Sequence, residues 1–180
     1  VFAATEPAAI KQSERLWWFD IVHNVFYRVG MFEGFDEFFE EVFARFEQPE
    51  SWRLFPETVD VLKTLKGQGF ELGIISNFDS RLFSVLRGLG IADLFDTVTI
   101  SSLAHAAKPS ARIFHQALEK HAVDPDEALH VGDSERDDVK GAQGVGLTGV
   151  LLARGEGARP SGGTTIGTLN ELLPLLSRLQ

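Results

Sequence analysis

Beyond Pro56 the chain alternates short apolar runs with segments of helical periodicity, and this alternation restricts the possible folds more than any other feature. The runs cover residues 70–75, 97–100, 129–131 and 149–152, each long enough for a strand and too short for a helix. Helical spacing predicts segments opening at Pro56 (Val59, Leu62, Leu65) and at Ser80 (Leu82, Val85, Leu86, Leu89). A further helix is predicted from Pro109 to about His121 (Ile113, Phe114, Ala117, Leu118), and another runs to about Gly144. Neighbouring parallel strands need a long crossover, so the pattern predicts an α/β fold with an open, Rossmann-like parallel sheet. Right-handed crossovers put the carboxyl ends of all strands on one rim, where such sheets bind ligands.

The first 54 residues have a different character. Apolar residues recur at Ile10, Trp17, Trp18, Ile21, Val22, Val25, Phe26 and Val29, a helical stripe that Gly30 ends. A second stripe, Phe35, Phe38, Phe39, Val42, Phe43 and Phe46, predicts a partner helix, its rings read as core, with His23 at the rim of the first stripe. Residues 48–55, with Pro49, break the pattern. They divide an N-terminal helical subdomain (1–54) from an α/β core (55–180). Residues 154–163 read as a Gly-rich loop, and Thr168 with Glu171 forms a capping-box pattern opening a Leu-rich terminal helix.

Composition narrows the function classes. A net charge of -9 argues against a nucleic-acid surface and against anionic membranes. The absence of cysteine excludes disulfides, thiolate catalysis and cysteine-ligated zinc, and fits a reducing, cytoplasmic setting. No apolar run reaches the roughly 20 residues of a membrane span. The opening residues VFAATEP lack the form of a signal peptide.

Three polar stations fall at the predicted rim. The most acidic is ALHVGDSERDDVKGA, residues 128–142, where Asp133, Glu135, Asp137 and Asp138 follow directly on an apolar run and the tight turn of Gly132. Like charges that close repel. Protonation, exposure to water or a hard cation such as Mg2+ relieves the repulsion, and acids in a first helical turn also meet the positive end of the dipole. The spacing does not fit a calcium loop. At the second station Ser76 and Asn77 end a strand, where a hydroxyl and backbone N–H groups can grip an anion, although both residue types are also common in turns. The third is Lys108. A cation just before a predicted helix start opposes the helix dipole unless an anion sits between them. A hydroxyl, a lysine and carboxylates able to hold Mg2+ are parts of a phosphoryl-transfer site, with no evident nucleophile among them.

GIISNFDSR (73–81), AAKPSARIF (106–114) and HVGDSERDDVKGA (130–142), in that order, resemble the second, third and fourth motifs of the haloacid dehalogenase-like hydrolase superfamily. The resemblance implies Ser76, Asn77 and Lys108 as phosphate binders, with Lys108 also steadying a nucleophile. It implies Asp133 and Asp138 as the Mg2+ site, with Asp137 the competitor of Asp138, and a small phosphorylated substrate. It makes residues 1–54 part of a cap inserted after the first strand. That strand should carry D-x-D, the aspartate nucleophile and its acid/base partner. The only D-x-D here, Asp124-Pro125-Asp126, precedes a strand instead of ending one. The expectation is therefore an α/β core lacking its first, central strand, with the nucleophile on a segment absent from this sequence. For the complete protein it is a Mg2+-dependent phosphatase acting through an aspartyl-phosphate. Haloacid dehalogenation and non-catalytic protein binding are the rival readings.

Overall fold

The computed structural model describes residues 6–155 and 163–178 of the chain. The opening residues 1–5 and most of the Gly-rich stretch 154–163 lie outside that description. Two helices come first, α1 (Pro7–Val29) and α2 (Phe35–Arg45), with Gly30 closing α1 through its N–H to the Phe26 carbonyl. Their rings interlock edge to face, Phe19 with Phe39 at 5.0 Å and Phe26 with Phe38 at 5.6 Å between centroids. Arg15 pairs with Glu40 across the same seam.

The stripes are less buried than their spacing predicts. Phe35 and Phe39 are core residues, whereas Phe38 and Phe46 remain exposed at 37% and 49%. On α1, Trp17, Ile21, Val25 and Val29 are exposed, and Glu14 is fully buried. Two helices bury only the faces they turn to each other. His23 sits inside the ring cluster, stacked on Phe19 and edge-on to Phe35.

After a 3-10 turn at Pro49–Ser51 come α3 (Thr58–Gly67), β1 (Gly73–Ser76), α4 (Arg81–Gly88), β2 (Thr97–Ile100), α5 (Ser101–Ala104) and α6 (Ala111–His121). β3 (Leu129–Gly132) leads into a π-helical segment, Glu135–Lys140, that continues as α7 (Gly141–Gln143). β4 (Thr148–Leu152), β5 (Thr164–Ile166) and α8 (Leu172–Leu176) complete the chain. Both bonds of the Thr168–Glu171 capping box are present ahead of α8.

The strands form two parallel sheets rather than one. β1 pairs with β2, Ser76 opposite Ile100; β3 pairs with β4, Gly132 opposite Leu151; and β4 pairs with β5. Among the described residues, β1 and β3 are each hydrogen-bonded to a strand on one side only. Helix α6 joins the two sheets. Its Ile113, Phe114 and Leu118 pack in one cluster with Ala142, Leu147 and Ile75 of β1, and a second cluster sets Val61 and Leu65 of α3 against Val150, Ile166 and Leu172. No helix among the described residues is long and apolar enough to cross a membrane.

Phe114 is wholly buried and meets the ring of His130 edge-on at 5.3 Å. Truncating it opens a cavity where helix and sheets meet. Phe114→Ala is expected to cost about 3–5 kcal/mol in denaturant unfolding; a cost under about 1 kcal/mol would show that α6 is not a structural bridge.

Candidate active site

The site is built from the carboxyl ends of β1 and β3. At the first, Asn77 turns its side-chain amide onto the backbone of Lys108, accepting the Lys108 N–H at 2.7 Å and donating to the Lys108 carbonyl at 3.0 Å. That two-point clamp fixes the anchor of the lysine. From it the Lys108 ammonium donates to Asp138 Oδ1 at 2.5 Å. His130 Nε2 lies 3.0 Å from the same oxygen, and the Ser134 N–H donates to Oδ2 at 2.9 Å.

Local geometry explains how Asp138 reaches this position. Ser134 caps the π-helical segment, its Oγ accepting the Asp137 N–H at 3.0 Å, and the Ser134 carbonyl accepts the N–H groups of both Asp138 and Val139. The wider turn carries the carboxylate back over the strand end; such π segments often mark functional sites. Gly132 makes room for it. A Cβ there would stand 2.1 Å from Asp138 Cγ.

Asp138 is 3% exposed. Burial alone would raise its pKa, but the His130 and Lys108 contacts and the Ser134 N–H outweigh it and hold the carboxyl well below the usual carboxylate range. A depressed carboxyl stabilises the fold above its unfolded value near 3.9, and that stability is lost as pH falls toward the folded value.

The contacts just described link the three stations through Asn77, Lys108, Asp138 and Ser134. Both polar atoms of the Asn77 side-chain amide are engaged with the Lys108 backbone. Lys108 answers a carboxylate rather than a helix end. Helix α6 begins at Ala111, because the Ala107 carbonyl takes the Ser110 N–H in a turn that leaves Lys108 and Pro109 outside it. Of the two competing acids, Asp138 meets Lys108, while the nearest basic group to Asp137 is Arg136 at 3.8 Å. Asp133 is exposed, and neither its carboxylate nor the Ser76 hydroxyl has a hydrogen-bond partner among the described residues.

Asp133 and Asp138, the two acids expected at a cation, differ in their surroundings. Asp138 is ion-paired, and no group of three or more His, Asp or Glu side chains placed to hold a metal occurs among the described residues. One free carboxylate, Asp133, fits the way Mg2+ is held, by one or two carboxylates with water and phosphate oxygens completing the shell. It does not fit a closed protein cage. Asp124 and Glu127 form a capping box before β3, so the D-x-D lies at the opposite rim with a structural role.

His130 and Ser134 belong to the site but were not singled out by sequence. The strand period gives a retrospective signal for His130, two residues from Gly132 and therefore on the face that Asp138 covers.

Asp138→Asn should lower stability at pH 7 by about 3 kcal/mol, since it leaves a buried ammonium without its counter-charge. In excess chelator the variant should also lose less stability than wild type between pH 6 and pH 3, by chemical denaturation; equal acid limbs would contradict the depressed carboxyl. Gly132→Ala should displace Asp138 and reproduce much of the loss.

A sequence model of the haloacid dehalogenase-like hydrolases matches residues 10–146. The haloacid dehalogenase-like hydrolase domain-containing protein 3 of Bos taurus is 33% identical over 172 residues, 91% of this chain and 68% of the relative. The chain spans only 58% and 61% of the corresponding mouse and zebrafish proteins. A glyceraldehyde 3-phosphate phosphatase of Methanothermobacter thermautotrophicus is 36% identical over 101 residues, 56% of this chain and 45% of that protein. Among solved structures, a HAD phosphatase from Thermococcus onnurineus superposes with a TM-score of 0.70 at 35% identity, covering 77% of this chain and 64% of that one. Solved dehalogenases also superpose, so likeness of fold does not separate the two chemistries. Parallel sheets flanked by helices, the ordered stations at one rim and the match over residues 10–146 agree: the chain belongs to the haloacid dehalogenase-like hydrolase family.

Proposed function

We propose that the chain is part of a Mg2+-dependent phosphatase for small phosphorylated metabolites, working through an aspartyl-phosphate on a carboxylate supplied by a segment outside these 180 residues. The observation that supports this reading is the continuous line of contacts from Asn77 through Lys108 and Asp138 to Ser134, whose first and last members neighbour Ser76 and Asp133 in sequence. The edges of β1 and β3 that pair with no strand among the described residues support it further. An extended segment pairing with both would end beside Lys108. The phosphatase among the relatives supports the substrate class.

Each residue has a role in that chemistry. The Ser76 hydroxyl, without a hydrogen-bond partner among the described residues, donates to a phosphoryl oxygen. The Lys108 ammonium has three donors and gives one to Asp138, which leaves two for the phosphate and the attacking carboxylate. Asp138, with His130 and Ser134 behind it, keeps the ammonium aimed. Asp133 would hold the Mg2+, which when bound neutralises phosphate charge. The incoming carboxylate attacks phosphorus, the bond to the substrate oxygen breaks, and the leaving alcohol takes a proton from an acid on the same segment. Water, giving a proton back to that same acid group, then attacks the aspartyl-phosphate, releasing inorganic phosphate and restoring the carboxylate.

The test is turnover of a generic phosphomonoester by the complete protein. Activity should require Mg2+, and Asp133→Asn and Lys108→Ala should each lower kcat by about 100-fold or more. No turnover, or turnover indifferent to Asp133→Asn, would reject the phosphatase reading. Activity on a haloacid in excess chelator would replace it with dehalogenation.

A further inference from the structure

The residues that follow the Ser76–Asn77 turn are held by the helical pair through buried charge that the chemistry above does not use. Glu14, Asp79 and Arg81 are 2%, 3% and 6% exposed. Charged side chains persist at such depth only when paired. Glu14 of α1 accepts both the Ser80 N–H at 3.0 Å and the Ser80 hydroxyl at 2.5 Å. One turn further along α1, Trp18 Nε1 donates to Asp79 Oδ2 at 2.7 Å. Arg81 forks onto Asp79, Nε to Oδ1 at 2.9 Å and Nη2 to Oδ2 at 2.6 Å. Its Nη1 donates to the Phe43 carbonyl of α2 at 2.8 Å, and the guanidinium lies 3.7 Å from the centroid of the Phe43 ring. Both helices thus grip three consecutive residues, 79–81, beginning two positions after the amide that clamps Lys108.

Such a contact does not loosen gradually. If the helical pair lifts, Glu14 loses both donors, and the Asp79–Arg81 pair loses Trp18 and Phe43 together. Any shift of residues 79–81 then reaches Asn77, and through it the anchor of Lys108.

We propose that Glu14, Asp79 and Arg81 form a polar latch: docking of α1 and α2 fixes residues 76–81, and with them the Lys108 ammonium, in the arrangement that grips phosphate. The inference rests on the phosphatase reading and adds to it a coupling between the helical pair and anion affinity. Coupling of this kind is reciprocal, so phosphate at the rim tightens the latch to the same degree. Glu14 and Arg81 are positioning residues that do not touch substrate.

Inorganic phosphate, titrated with Mg2+ present into the complete protein by calorimetry, is the probe. Arg81→Ala would leave Asp79 buried and uncompensated, so the variants are the milder Glu14→Gln, Ser80→Ala and their combination, measured where circular dichroism shows each fully folded. Each single change should weaken phosphate binding by about tenfold. The double variant should be less than additive, because both changes act on the Glu14–Ser80 contact. Amide hydrogen exchange over residues 76–81 should quicken while β3 and β4 are unaffected. Phosphate binding that ignores both changes would overturn the latch alone; a wild-type protein that binds no phosphate would bring down the phosphatase reading and the latch with it.

Discussion

The ion pair between Lys108 and Asp138 is the contact on which the arrangement depends, since it joins the carboxyl ends of two sheets whose strands do not pair with each other among the described residues. A buried pair is not stabilising by default. Two unit charges 4 Å apart attract by roughly 4 kcal/mol at an effective dielectric of about 20. Removing each ion from water costs several kcal/mol. The additional contacts decide the balance: the Ser134 N–H and His130 on the carboxylate, and the Asn77 clamp on the lysine backbone. Together these contacts fix the carboxylate and the backbone from which the ammonium extends.

The apolar structure serves the same end. Phe114 lies beneath His130 and alongside Gly141, where a Cβ would come within 2.8 Å of the ring, so α6 and α7 approach closely enough to bring Asp138 to Lys108. On the other side, residues 79–81 are set by α1 and α2. The rim is thus held from two directions, by the α/β core below and by the helical pair above, and Asn77 lies between them.

Much of this was legible in the sequence, for reasons that particular residues make clear. Thr97–Ile100 reads as a strand and is β2, because β-branched residues between turn signals leave few alternatives. Thr168 and Glu171 announce a cap whose two bonds are local and therefore visible in sequence. Asn77 was identifiable as a site residue, but not its partner, since the clamp spans 31 positions and a lone Asn also reads as an ordinary turn residue. Glu14 was not singled out for the same reason: a glutamate on a helix reads as solvated, and only Ser80, 66 positions away, makes it a buried acceptor. β5 was not assigned, its three residues being too few to show a period. The π-helical turn, which separates the roles of Asp137 and Asp138, leaves no periodicity that distinguishes it from an ordinary helix.

The central claim is that Ser76, Lys108 and Asp133 form one anion-binding rim. Backbone amide NMR shifts recorded while inorganic phosphate and Mg2+ are added test it most directly. The account predicts that the amides of residues 76–77, 108 and 133–134 move together with a single saturation curve, while those of residues 124–126 at the opposite rim stay fixed. Separate curves for the three stations, or movement centred on residues 124–126, would contradict it.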